Sequence, residues 1–149
     1  MLSTPIPPKR AGNPGEQMHT DELSEAIIGC AYTVSNTLGS GFLEKVYENA
    51  LAHELRKKGL HVEQQHSLSV QYAGVVVGEY VADLLVEARV LVELKAMKDI
   101  EDIHKAQCIN YLKATGLSTC LLINFGMPRV QVKRFTNGSS GRSAEGDEV

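Results

Sequence analysis

Residues 75–95 constrain the fold more than any other part of the sequence. Val75 to Val86 is one apolar-rich run and Val90 to Leu94 is another, with only Glu87-Ala88-Arg89 between them. Two β runs joined by three residues make a hairpin. If Val86 pairs with Val90, Asp83 falls opposite Glu93, and opposed residues of an antiparallel pair share a face. That face carries Asp83, Glu93 and Lys95, while Ala82, Leu84, Val86, Val90, Val92 and Leu94 form a continuous core face. Like charges set opposite each other destabilise a sheet unless something offsets them. A solvated edge with Lys95 as counter-ion is the bland reading of this cluster. The apolar setting of Val90 to Lys95 argues against it, because it reads as a central strand, where charge needs an explanation. A hard divalent cation held by oxygen ligands, Mg²⁺ or Mn²⁺, would supply one.

The flanking segments place this hairpin in a larger pattern. Leu23, Ile27, Ala31, Val34 and Leu38 recur at helical spacing, with Thr20 to cap the start and Gly39 to end the helix. A second helix is expected from about Phe42 to Lys58, closed by Gly59. The period then changes to two: Leu68, Val70 and Tyr72 alternate with Ser67, Ser69 and Gln71, and Ala73-Gly74 supplies a turn. Ile100 to Ala114 has helical spacing and stops at Gly116; Thr119 to Phe125 and Val130 to Phe135 read as two last strands. The order α-α-β-β-β-α-β-β predicts an α/β domain on a mixed sheet flanked by helices.

Composition sets the outer limits. The 149 residues suffice for one domain. Pro and Gly crowd the first fifteen residues, and Gly, Ser and acid fill the end, so residues 1–19 and 136–149 are expected to be disordered tails around a domain at 20–135. No stretch approaches the ~20 apolar residues of a membrane helix, and the N-terminus lacks the pattern of a signal peptide. Cys30, Cys108 and Cys120 are odd in number and lack CxxC spacing, which suggests core thiols of a cytoplasmic protein. The net charge of −3 argues against coating nucleic acid by bulk charge. The five histidines make no HExxH or paired zinc spacing, and no GxGxxG, GxxxxGK[ST] or GxSxG occurs.

At Asp83 and Glu93-Leu94-Lys95 the sequence resembles the D…(D/E)xK signature of PD-(D/E)XK nucleases, although Ala82 stands where the signature has proline. More narrowly, Gly41-Phe-Leu-Glu44-Lys-Val-Tyr47 resembles the namesake motif of the small bacterial GxxExxY family. Gly78 to Asp83, Asn110 to Gly116 and Leu122 to Gly126 resemble that family's recurrent segments, so the likeness spans roughly Asp21 to Arg134. The resemblance implies a restriction-endonuclease-like core, αβββαβ, and metal-dependent hydrolysis of phosphodiester bonds. DNA is the expected polymer ahead of RNA.

By the same resemblance, Asp83, Glu93, the Leu94 carbonyl and an acid of the helix before the meander would hold Mg²⁺ or Mn²⁺. Glu44 matches the motif; Glu48, four residues on and on the same helix face, is the alternative. Lys95 would act on the attacking water. Gln107 and Tyr111 match a Gln-x-x-x-Tyr pattern that contacts DNA in RecB-like members, with helix packing as the competing role for Tyr111. Tyr47 reads as a packing residue with one satisfied hydroxyl, and His104 as a surface histidine that could border the site. A domain this small contacts few phosphates alone, which is compatible with a homodimer. A different class of function, a catalytically silent interaction or regulatory module on a nuclease fold, fits the acidic total and the lack of a basic stripe.

Overall fold

Two tight turns fold the middle of the chain into a meander. In the computed structural model, which describes residues 14–137 and 145–148, strands β1 (Val62–Tyr72), β2 (Val75–Val86) and β3 (Val90–Lys95) run antiparallel in sequence. Ala73 and Gly74 both have positive φ (51° and 79°), as the two central residues of a primed turn must. The β2–β3 loop places Glu87 and Ala88 at φ 52° and 54° and sets Val86 opposite Val90, the expected register.

Helix α4 (Asp102–Thr115) crosses over from β3 to β4 (Thr119–Asn124), which pairs with β3 in parallel; Gly116 ends the helix in the left-handed conformation. Strands β5 (Gln131–Thr136) and β6 (Glu145–Glu148) add antiparallel, giving a six-stranded mixed sheet in chain order. Before the meander lie a one-turn helix α1 (Pro14–Gln17), then α2 (Thr20–Leu38) and α3 (Glu44–Lys57). The expected tails fall largely on residues 1–13, 138–144 and 149, outside the described ones; α1 and β6 belong to their described parts. Arg89 in the β2–β3 loop donates to the carbonyls of Met18 (2.6 Å) and Gly15, which ties the segment ahead of α2 to the hairpin.

The strands alternate between two cores. Leu84, Val86, Val90, Val92, Leu94, Leu121 and Ile123 pack with α2 and α3. Leu91, Cys120 and Leu122 point the other way, toward Cys108, Tyr111 and Leu112 of α4. Ala82 corrects one expectation, for it belongs to the α4 cluster and not to the Leu84 face. The reason is a local break in the β1–β2 ladder. Gln64 pairs with Leu84 and His66 with Ala82, but Gln65 and Asp83 between them are unpaired, and Gln65 has φ 54°. The three cysteines are buried and free, as a core reading of them requires. Among the described residues, no helix is long and apolar enough to cross a membrane.

Candidate active site

The break in the ladder turns Asp83 toward β3. Its backbone N–H donates to Glu93 Oε1 at 3.4 Å, and its own Oδ2 accepts the Leu94 N–H at 2.7 Å. The two carboxylates predicted to face each other are therefore locked together by each other's strands. Glu93 is 4 % exposed. Burial, and then the charge of Asp83, push its pKa up to about 8, against the opposing pull of Lys95. Lys95 Nζ lies 3.9 Å from Glu93 Oε2, in a half-closed position where its side chain is 17 % exposed.

Helix α3 brings two more acids. Tyr47, fully buried, stacks on Phe125 (ring centroids 4.7 Å apart, planes 5° apart). Its hydroxyl donates to the Gly39 carbonyl at 2.6 Å and accepts the Phe42 N–H at 3.2 Å. The expectation of a packing tyrosine with a satisfied hydroxyl holds, and the packing has a consequence: it fixes the loop that delivers Glu44. That loop needs glycine at Gly41, whose φ is 116°. Glu44 opens α3, where a carboxylate suits the helix dipole. Its side chain reaches solvent, yet partial burial is the main cause raising its pKa; Lys95 and His104 act against the rise, while Asp83 and Glu48 add to it. Asp83 and Lys95 are therefore near enough for their charges to act on the Glu44 carboxyl.

Glu48 sits deeper, 3 % exposed, and is held by three donors: Lys45 Nζ (2.9 Å), Gln64 Nε2 (2.7 Å) and Gln65 Nε2 (2.5 Å). Gln65 Nε2 also reaches Asp83 Oδ1 at 3.2 Å, so this one amide bridges the helix acid and the strand acid. Sequence reading missed Gln64 and Gln65. The signal available was a pair of amides inside a β run, Val62-Glu-Gln-Gln-His, where apolar residues would be expected on one face.

Helix α4 supplies the remaining candidates. Tyr111, which the resemblance set beside substrate, is fully buried; its hydroxyl lies 3.1 Å from the Val81 carbonyl and 3.4 Å from Glu93 Oε2. Burial, followed by the charges of Glu93 and Asp83, raises its pKa, so it stays a neutral donor. Gln107, one turn earlier, is half-buried, and its side chain makes no hydrogen bond among the described residues. His104 Nδ1 accepts the Glu101 N–H at 3.1 Å and so helps to start the helix.

The donor chemistry suits a hard cation. Asp83 and Glu93 gather two carboxyl groups against one ammonium; burial first, and then the charge of Asp83, hold Glu93 well above the usual carboxylate range, a rise that a bound cation would oppose. Among the described residues, no three His, Cys, Asp or Glu side chains converge to hold a metal unaided. Mg²⁺ does not require them, because it retains several waters and takes one or two carboxylates. The side chain of Leu94 is buried in the core, which leaves only its backbone toward the site.

Comparison with known proteins agrees with this picture at one level. The sequence profile of the PD-(D/E)XK nuclease superfamily matches residues 21–135. The mixed sheet with flanking helices, in the order α3, β1–β3, α4, β4, is the restriction-endonuclease-like core expected from the sequence. No curated protein and no solved structure matches the chain.

Proposed function

We propose, because the chain belongs to the PD-(D/E)XK nuclease superfamily, that it is a divalent-metal-dependent nuclease of the GxxExxY kind, cutting DNA in preference to RNA. The observation that carries this reading is the interlocked Asp83–Glu93 pair with Lys95 beside it, in strands that are otherwise apolar. Residues 20–135 are its catalytic domain. Asp83, Glu93 and the Leu94 carbonyl hold Mg²⁺ or Mn²⁺, and Glu44 closes the site from the helix side. When bound, the metal supplies a hydroxide-like nucleophile at neutral pH and neutralises charge gathering on the phosphate.

Lys95 holds the attacking water and stabilises the crowded phosphate oxygens as a compact point charge, a task to which the planar fork of arginine is poorly shaped. Glu48 acts at one remove, by fixing the Gln65 amide on Asp83. Tyr111 keeps Glu93 oriented from beneath, and Gln107, which has no partner within the described chain, meets the nucleic acid.

The test is cleavage of DNA and RNA by wild type and Lys95→Ala, each with Mg²⁺, with Mn²⁺ and with chelator. Metal-dependent cutting by wild type alone is expected, and the polymer cut identifies the substrate. Equal cutting by both proteins, or none by either, would overturn the reading; the second result would favour a silent interaction module.

A further inference from the structure

Strand β4 ends beside Lys95, and its last residues grip the chain that follows this lysine. The Phe125 N–H donates to the Lys95 carbonyl at 2.8 Å. Asn124, fully buried, takes the Met97 N–H on Oδ1 (3.1 Å) and donates Nδ2 to the Met97 carbonyl (2.9 Å). The same Oδ1 accepts the Gly126 N–H at 3.0 Å. Gly126 passes so close that a Cβ there would overlap the backbone N and O of Met97. One side chain thus satisfies both backbone groups of Met97, and one missing side chain lets the two segments touch.

Only an amide has both a donor and an acceptor in this arrangement; aspartate offers no donor, and leucine offers neither. A polar side chain at 0 % exposure closing the apolar run Cys120 to Ile123 is unfavourable unless fully bonded. Here the bonds go to the segment that leaves the site. Lysine is long and flexible, so its ammonium is placed only as well as its backbone is. Lys95 is the last residue of β3, and beyond it no strand pairing holds the chain.

We infer that Asn124 and Gly126 are positioning residues that clamp Met97 and thereby hold the Lys95 ammonium at the Asp83–Glu93 pair. This inference rests on the nuclease reading above. The test measures kcat, KM and Mn²⁺ affinity for Asn124→Leu, Asn124→Asp, Gly126→Ala and the Asn124→Leu/Gly126→Ala double variant, with melting temperatures alongside. Misplacing a reacting group by an ångström lowers rates about a hundredfold. Asn124→Leu and Gly126→Ala should therefore lose about that much kcat, while KM and Mn²⁺ affinity, which depend on other groups, stay at wild-type values.

Asn124→Asp keeps the acceptor and should recover roughly tenfold relative to Asn124→Leu; should Asn124→Leu fail to fold, the Asp and Gly126→Ala variants carry the test. Because both changes act through Met97, the double variant should lose no more than the worse single one. Losses that multiply, or Mn²⁺ affinity that falls in step with kcat, would overturn the clamp. If wild type cleaves nothing, the nuclease reading fails by itself. The clamp is then read from the ¹⁵Nζ resonance of Lys95: displacement in Gly126→Ala or Asn124→Asp upholds it, and an unmoved resonance overturns it.

Discussion

The two halves of β2 are built from the same residue types and live in opposite surroundings. Val75, Val76, Val77 and Val81 are 61, 51, 60 and 45 % exposed, whereas Leu84 and Val86 are fully buried. Hydropathy does not separate them; neighbours do. Strand β3 pairs with β2 only from Leu84 to Val86, so the first half stands as a two-strand ribbon with β1, the outermost strand. Asp83 lies at the junction, where the ribbon enters the packed sheet and the ladder breaks. A carboxylate there has dry strands on one side and an opening on the other, which is where a charged group can both be held and be reached. Under the proposed function the chemistry belongs to the junction, while burial puts stability in the inner half and not in the ribbon.

The largest effect should come from the junction. Asp83→Ala is expected to lower metal-dependent cleavage on the order of 10⁴-fold, as loss of a central catalytic carboxylate does elsewhere. Val77→Ala, in the ribbon, should stay within about twofold. Single-turnover cleavage of labelled DNA with Mg²⁺ measures both. If the two variants cleave alike, the junction has no special part in the chemistry.

The next effect is a pH dependence confined to the buried side. The Glu93 carboxyl has a usual value of 4.5 and stands at about 8 in the folded chain. Between those values the folded state holds a proton that the unfolded state has released, so stability falls as pH rises. The full decline, on the order of 5 kcal/mol, is complete above pH 8 and absent below about 4.5. Urea unfolding of chelated protein at several pH values between 5 and 8 should show the slope in wild type and a flatter line in Glu93→Gln. A wild type without that slope would mean that burial does not govern this carboxyl.

How far the sequence disclosed this arrangement depends on the range of the interactions involved. The hairpin register was legible because loop length and alternation fix it locally, and it placed Asp83 against Glu93. The packing role of Tyr47 was legible from residue type, but not its stacking partner Phe125, seventy-eight residues away in sequence. The face taken by Ala82 was misread, because the alternation rule assumes an unbroken ladder and Gln65 breaks it. The Glu48–Gln65–Asp83 bridge was not legible for a similar reason: it joins a helix to two strands, and the Gln64-Gln65 amide pair marks an unusual strand without naming its partners. The exposure of Val75–Val77 was not legible in their apolar side chains, because it is decided by where the pairing with β3 stops.

The inner half of β2 should carry stability in proportion to its burial. Leu84→Ala removes a fully buried side chain packed between the sheet and the α2–α3 layer. Such truncations destabilise by about 2–5 kcal/mol, the spread reflecting how far the surroundings close over the gap. Urea unfolding of the metal-loaded protein measures it, with an expected drop in midpoint and an unchanged slope. A loss below about 1 kcal/mol would mean that this half is no better packed than the ribbon.

The smallest effect is the most exacting test of the comparison. Val76 faces solvent at 51 % exposure, paired in the ladder to Gln71 beside the one-residue register shift. Val76→Thr keeps a β-branched side chain, and so keeps strand stiffness, while replacing a methyl group by a hydroxyl that water can satisfy. Nothing is buried at this position for the hydroxyl to disturb, so stability should change by no more than about 0.5 kcal/mol. The same substitution at Val86, inside the core, strands a polar group and should cost roughly 1–3 kcal/mol. Equal losses at the two positions would show the ribbon to be covered in solution. The division of β2 at Asp83 would then be a division of the isolated chain alone.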